Sequence, residues 1–332
     1  MHMADALISP AVAGTMFVCT ATAAAYSVRK VRLEGDMKKI PVMGVMGAFV
    51  FAAQMINFSI PGTGSSGHLC GGLLLAALLG PQAAFLAMIG VLLIQCLVFA
   101  DGGLLALGCN IWNMAFYGCF VGYYLFWRPM MKNGLGKKKI VVAAILGSVV
   151  TLQMGAFSVS LETLASGITD LPFTTFLSMM QPIHLVIGLV EGLITSAVLV
   201  FLYEARPEML MESRKSQLEN RLTLRKTLLV LCVGVVMIAG GLSLVASSDP
   251  DGLEWSIEKL TGSTELESDE QGIYNTADKV QKTTALLPDY QFKDSDTVTG
   301  TSISGVLGST VVLVVCAGVC FIISRKRKKR ME

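Results

Sequence analysis

Leu69-Cys70-Gly71-Gly72-Leu73-Leu74-Leu75-Ala76-Ala77-Leu78-Leu79-Gly80-Pro81 is apolar almost throughout, yet it is too short to cross a bilayer and ends at a proline that should stop a helix. Residues 82 to 100 follow at once with a full-length apolar span. A half-length segment beside a full one is the signature of a membrane bundle with one tilted or half-depth helix. The rest of the chain agrees with that reading. Its 332 residues are 53% hydrophobic and only 15% charged, and the mean hydropathy is +0.63, which excludes a soluble globule. Further spans are predicted at about 8 to 28, 39 to 58, 103 to 127, 139 to 160, 173 to 203, 227 to 246 and 303 to 323. The expected fold is an all-α integral membrane protein. A bundle of about seven helices is followed by a two-helix C-terminal module with an acidic loop.

The net charge of +2 is uninformative, but its distribution is not. Basic residues cluster at Arg29 to Lys39, Arg128 to Lys139, Arg206 to Lys226 and Arg325 to Arg330, which the positive-inside rule places in the cytoplasm. The N-terminus is then extracytoplasmic and the C-terminus cytoplasmic. Keeping both of the first two clusters inside requires an even number of crossings between them, and the short segment at 69 to 80 supplies the parity. The start shows no basic region followed by a cleavage site, so the first span is expected to be retained. The loop at 247 to 302 carries twelve Asp or Glu residues, including Asp249, Asp251, Glu254 and Asp289, and reads as an acidic extracytoplasmic module. Expected boundaries are 1–205 for a metal-binding transmembrane part, 206–226 for a charged cytoplasmic linker and 227–332 for the two-helix module. The eight cysteines fall mostly within apolar spans and suggest packing, not a disulfide framework. Cys70 receives the same reading.

Only three histidines exist, His2, His68 and His184. The Met1 amine, the deprotonated His2 amide and the His2 imidazole can form fused chelate rings in one plane, and His68 can close the square. His2 is large enough to disfavour removal of Met1. His68 ends the run Asn57-Phe58-Ser59-Ile60-Pro61-Gly62-Thr63-Gly64-Ser65-Ser66-Gly67, which cannot be regular helix and at membrane depth must be buried or line a cavity. Square-planar nitrogen ligation favours Ni(II) or Cu(II), with Co(II) allowed if the planar field is imposed. An incidental His2 and a loop His68 bonded to a carbonyl fit the same residues. Asn57, Ser66, Gln181, His184 and Glu191 are candidates for a polar network bracing the loop. His184 and Glu191, seven positions apart, project from one helix face. Asn110 and Asn113 suggest interhelical hydrogen bonds.

The start Met1-His2-Met3-Ala4-Asp5 with Ser9-Pro10, the run Ile60 to His68, Leu79-Gly80-Pro81 and Phe99-Ala100-Asp101-Gly102-Gly103-Leu104 resemble the substrate-capture components of nickel and cobalt energy-coupling-factor transporters, the NikM/CbiM family. Pro250-Asp251-Gly252-Leu253-Glu254 resembles the small PDGLE-type accessory subunit of those transporters, here fused behind the capture component. The resemblance implies Ni(II) or Co(II) as the transported substrate, held by Met1, His2 and His68. It also implies a NikQ/CbiQ-like transmembrane coupling subunit and a NikO/CbiO-like ATPase as partners in a prokaryotic cytoplasmic membrane. Gly134-Leu135-Gly136-Lys137 lacks the spacing of a phosphate loop, so ATP hydrolysis is expected from other chains. Neither an enzymatic role nor nucleic-acid binding is expected. Two competing readings come from other classes. A polytopic metalloenzyme would need a His-Glu constellation, and His184 to Glu191 has the wrong spacing. A passive cation channel would need rings of carbonyls or carboxylates.

Overall fold

The computed structural model describes residues 1–31, 39–210, 220–266, 272–292 and 298–331. Arg32, Lys38, Arg214, Lys215, Glu267, Asp269, Glu270, Asp294 and Asp296, all counted in the charge pattern above, lie outside the described residues.

The chain is helical almost throughout. Ser9 accepts the amide of Val12 and caps α1 (Pro10–Lys30), with Pro10 at the first helical position, where a missing N–H costs nothing. After α2 (Lys39–Gln54) the Gly/Pro/Ser-rich run forms a small antiparallel hairpin, β1 (Phe58–Ile60) with β2 (Ser65–Gly67). The helix α3 (Gly72–Leu79) is only eight residues long, about 12 Å, and every one of them is buried. It is therefore a half-depth helix inside the bundle. Gly80, at φ +82°, turns the chain into α4 (Pro81–Phe99).

Next comes α5, one continuous helix made of an α segment (Leu107–Ile111), a π-helical stretch (Trp112–Trp127) and a closing α turn (Arg128–Met131). Two long helices, α6 (Lys137–Ser166) and α7 (Phe173–Ala205), complete the first part. The second part has α8 (Leu224–Gly240) and α11 (Val298–Met331) as its long helices. Between them the acidic loop folds into two further helices, α9 (Gly252–Thr261) and α10 (Gly272–Thr284). Among the described residues, six helices are long and apolar enough to span a membrane, and Ile40–Gln54 is a shorter apolar helix. The protein is a multi-pass membrane protein.

In lipid, helices gain little from hydrophobic burial against one another and rely on close approach at small residues. Gly72 of α3 and Gly118 of α5 face each other so closely that a Cβ on either would lie 3.0–3.1 Å from the other's Cα. Gly188 and Gly192 of α7 sit one turn apart against the backbone of Val149 and Ile145 in α6, where a Cβ would fall 2.9 and 2.6 Å from their Cα atoms. The C-terminal part is not a separate body. Gly44 and Gly47 of α2 pack on Leu313 and Cys316 of α11. Replacing Gly192 by leucine should break the α6–α7 contact and cost about 1–3 kcal/mol, seen as a fall in the thermal unfolding midpoint of detergent-purified protein; Gly234→Leu, with open space around its Cα, should leave it unchanged.

Candidate metal centre

The leading residues are pinned, not frayed. The Met3 amide donates to Asn110 Oδ1 (2.7 Å), and Asn110 Nδ2 donates back to the Met3 carbonyl (3.1 Å). The Gly103 amide reaches the same carbonyl (2.9 Å). Asp5 Oδ1 accepts the Ala106 amide (3.0 Å) just before α5 begins. Met1 and Met3 are buried as a result, 4% and 0% exposed. His2 therefore does not sit at a loose terminus.

The Met1 amine lies 2.9 Å from His68 Nε2 and forms an ion pair with Asp251. His68 Nδ1 faces the Leu69 carbonyl at 3.2 Å. A carbonyl can only accept, so Nδ1 carries the proton and the Nε2 lone pair points at the amine. Asp251 Oδ2 is 3.8 Å from His68 Nε2. The His2 ring stacks on His68, with centroids 5.2 Å apart and planes 21° from parallel. Its Nδ1 pairs with Asp101 (3.1 Å) and its Nε2 lies 3.3 Å from Gln95 Oε1. Gln95 donates to Gln54 (2.8 Å), which donates to the Cys70 carbonyl (2.9 Å). His2 and the segment after His68 are thereby joined through a buried amide chain.

The electrostatics follow from burial. It pushes His68 well below its ordinary value, helped by the Met1 ammonium and His2. Burial also lowers His2, with the ammonium adding to it and Asp101 opposing. Burial thus favours the neutral imidazole at both positions; His68 Nε2 keeps its lone pair, whereas both His2 ring nitrogens face acceptor oxygens. For the amine, burial works against the charged form, but the Asp251 carboxylate outweighs it and raises the amine above its usual value. Burial alone would raise Asp251 as well; the ammonium and His68 instead hold it well below the normal carboxylate range. Glu254 is pushed up to about 7 by burial and by Asp251.

The other candidates divide. Glu191 Oε2 and Oε1 accept the amides of Cys70 (2.9 Å) and Gly71 (3.1 Å), so it holds the backbone directly after His68. Ser66 bonds outward: its amide donates to the Pro250 carbonyl (2.8 Å) and its hydroxyl to the Asp249 carbonyl (2.8 Å). The Asn57 carbonyl accepts the Ser247 amide (2.7 Å). His184 is buried; its Nδ1 donates to the Met180 carbonyl (2.7 Å), and its Nε2 has no partner among the described residues. It lines a small cavity with Met1, His68, Cys70 and Asp251. Gln181 is not brought to the site. It exchanges bonds with Gln153 (2.8 and 3.3 Å) and ties α7 to α6. Asn113 donates to Glu162 (2.7 Å).

Sequence reasoning missed Asp251, Asp101 and Gln95 as members of this cluster. The first two were counted only as part of a charge run or a family motif. A signal was available for one of them: Asp251 and Glu254 stand three apart, and they form a reciprocal capping box at the start of α9. That spacing announces a helix start but not a contact with residue 1. A cavity of about 540 Å³ opens over the cluster, lined by His2, His68, Asp101, Asp251, Glu254 and Asp289 among others. Among the described residues no three His, Cys, Asp or Glu side chains converge in metal-binding fashion.

Residues 2–209 match the family model of the cobalt uptake substrate-specific transmembrane region, and residues 225–325 match the PDGLE domain. A putative fused nickel transport protein NikMN of Archaeoglobus fulgidus is 34% identical over 313 residues, 94% of this chain and 96% of that one. The probable fused nickel transport protein LarMN of Lactiplantibacillus plantarum is 33% identical over 78% of this chain and 79% of its own length. A crystal structure of a truncated transition-metal transporter superposes with a TM-score of 0.54 at 33% identity, covering 61% of this chain and 99% of that one. Replacing Glu191 by alanine would orphan two buried amides and should lower stability by about 1–3 kcal/mol, read as a drop in thermal unfolding midpoint, with Glu191→Gln, which keeps one acceptor oxygen, falling between.

Proposed function

The chain belongs to the family of cobalt uptake substrate-specific transmembrane regions, carries a PDGLE domain behind that region, and is a nickel or cobalt transport component, not an enzyme; from this premise we propose that the Met1 amine, the His2 amide and imidazole, and His68 Nε2 capture a divalent nickel or cobalt ion in a planar nitrogen site. The observation that carries the reading is the 2.9 Å separation of Met1 N and His68 Nε2. With metal–nitrogen bonds of about 2.0 Å, adjacent corners of a square lie about 2.8 Å apart. The two nitrogens thus already stand at the spacing of neighbouring ligands. Nickel suits four nitrogens in a plane.

In this reading residues 1–205 capture the ion, 206–226 link, and 227–332 form the accessory module. The ion arrives from the extracytoplasmic side through the carboxylate-lined cavity, whose negative field concentrates divalent cations. It then exchanges water for nitrogen. The His2 ring gives up Asp101, releases its Nδ1 proton to water, keeps the ring proton on Nε2 toward Gln95 Oε1, and turns its Nδ1 to the ion. The amine loses its ammonium proton and the amide its own, both to water. Release to the cytoplasm is driven by ATP hydrolysis on separate ATPase chains, through a transmembrane coupling subunit of the energy-coupling-factor type, in the cytoplasmic membrane of a prokaryote.

Placing one extra residue before Met1 converts the amine to an amide and should abolish tight nickel binding, measured by calorimetry on purified protein, while membrane insertion stays intact; full binding by the extended chain would end the proposal. Binding should also depend on pH with a definite sign. The amine is raised, so it is an ammonium without a lone pair across pH 5 to 8, and the ion must displace its proton. Affinity should therefore fall by at least about tenfold for each pH unit lowered in that range, and a flat profile would contradict this ligand set.

A further inference from the structure

Asp251 uses its two oxygens for different ends. Oδ1 accepts the amides of Leu253 (2.8 Å) and Glu254 (3.0 Å), and Glu254 Oε2 accepts the Asp251 amide (2.9 Å), which completes the cap of α9. Oδ2 takes no part in that cap and pairs with the Met1 amine. A helix start asks only for a short acceptor, and serine or asparagine would serve nearly as well. A buried carboxylate is costly unless paired. The charge is thus surplus to the helix and is aimed at residue 1.

The backbone around it is held on both sides. The Pro250 carbonyl accepts the Ser66 amide (2.8 Å), two residues before His68. Gly252 is seated on α7, where a Cβ would fall 3.0 Å from His184 Cε1 and 3.1 Å from Ile183 and Ile187. Trp255 Nε1 donates to the Thr63 carbonyl (3.0 Å). The carboxylate position is therefore set by the same hairpin that presents His68.

We propose that Asp251 is a positioning residue for metal capture: the C-terminal module lends the carboxylate that holds the Met1 amine beside His68 Nε2. This rests on the reading that Met1 and His68 are ligands. A coordinated primary amine still carries two hydrogens, so Asp251 keeps an N–H to accept once the ion is bound, and it fixes the direction of the nitrogen lone pair. The partner is a divalent ion of the nickel or cobalt type, because the nitrogen that Asp251 orients is the donor such ions prefer. Loss of an outer partner of a ligand typically weakens metal affinity about 10–100-fold.

The test uses the full chain purified in detergent, titrated with Ni(II) and followed by calorimetry and by the visible absorption of the bound ion. Asp251→Ser keeps a helix-capping oxygen but is too short and uncharged to hold the amine. Asp251→Asn keeps the cap and an acceptor oxygen without the charge. His68→Ala and the one-residue N-terminal extension are run alongside. The expected result is no tight binding in the two controls, about 10–100-fold weaker binding with a shifted absorption band in Asp251→Ser, and a smaller loss in Asp251→Asn, with the thermal midpoints of both Asp251 variants lowered by loss of the buried charge pair while both remain folded. Parental or tighter affinity in Asp251→Ser, with the controls abolished, would overturn the positioning role and leave the metal site standing. Controls that bind like the parent would overturn both. Should the serine variant fail to fold, Asp251→Asn decides, and an unchanged affinity and spectrum there overturns the proposal.

Discussion

The buried junction of the Met1 amine with His68 and Asp251 is the contact on which the rest of this structure turns. A charged amine cannot be taken out of water without partners, so its burial dictates what surrounds it. One partner comes from the irregular loop after α2, the other from the loop between α8 and α11. Residues 1 to 5 are then threaded between α4 and α5, where Asn110 and Gly103 satisfy the Met3 backbone and Asp5 satisfies the start of α5. The terminus acts as an internal element of the bundle.

The same polar-satisfaction rule explains how a glycine- and serine-rich hairpin survives beside membrane helices. Such backbone is tolerated only when protein groups replace the missing water. On its inner side, Glu191 and Gln54 take the amides and carbonyl of residues 70 and 71. On its outer side, the Pro250 carbonyl, the Asp249 carbonyl and Trp255 take the backbone and hydroxyl groups of Thr63 and Ser66. The hairpin is thus shared between the first part of the chain and the last. Fusing the two parts places their contact at a fixed stoichiometry and gives the loop partners that neither part alone would supply.

The acidic stretch between α8 and α11 shows how a charge run can hide structure. Its negative charge does line the cavity over the site, through Asp251, Glu254 and Asp289. But the stretch also folds: α10 lies along α4, with Gln281 donating to the Gly102 carbonyl (2.7 Å) and the Cys96 carbonyl (3.0 Å), and Tyr274 reaching the Ile8 carbonyl (2.9 Å). These bonds seat the helix along the wall of that cavity, which Tyr274, Asp278 and Gln281 help to line.

The apolar spans were legible from the sequence because a bilayer makes spanning a local property: about twenty apolar residues suffice whatever else the chain contains. The half-length helix was legible for a related reason, since Gly71, Gly80 and Pro81 punctuate it. Ser9-Pro10 and the pair Asp251 and Glu254 carry equally local capping signals for two helix starts, though they entered the sequence analysis only as family motifs and as part of a charge run. His2 and His68 could be paired from their scarcity and from family resemblance, and Glu191 could be placed on the face of His184 by helical period. What local chemistry could not reveal was distance between remote residues. That Gln181 turns to α6 while Glu191 turns to the loop, that His2 meets Asp101, and that Asp251 meets residue 1 are outcomes of helix packing at Gly188, Gly192, Gly44 and Gly47. Those contacts depend on where whole helices sit, and only the folded bundle decides that.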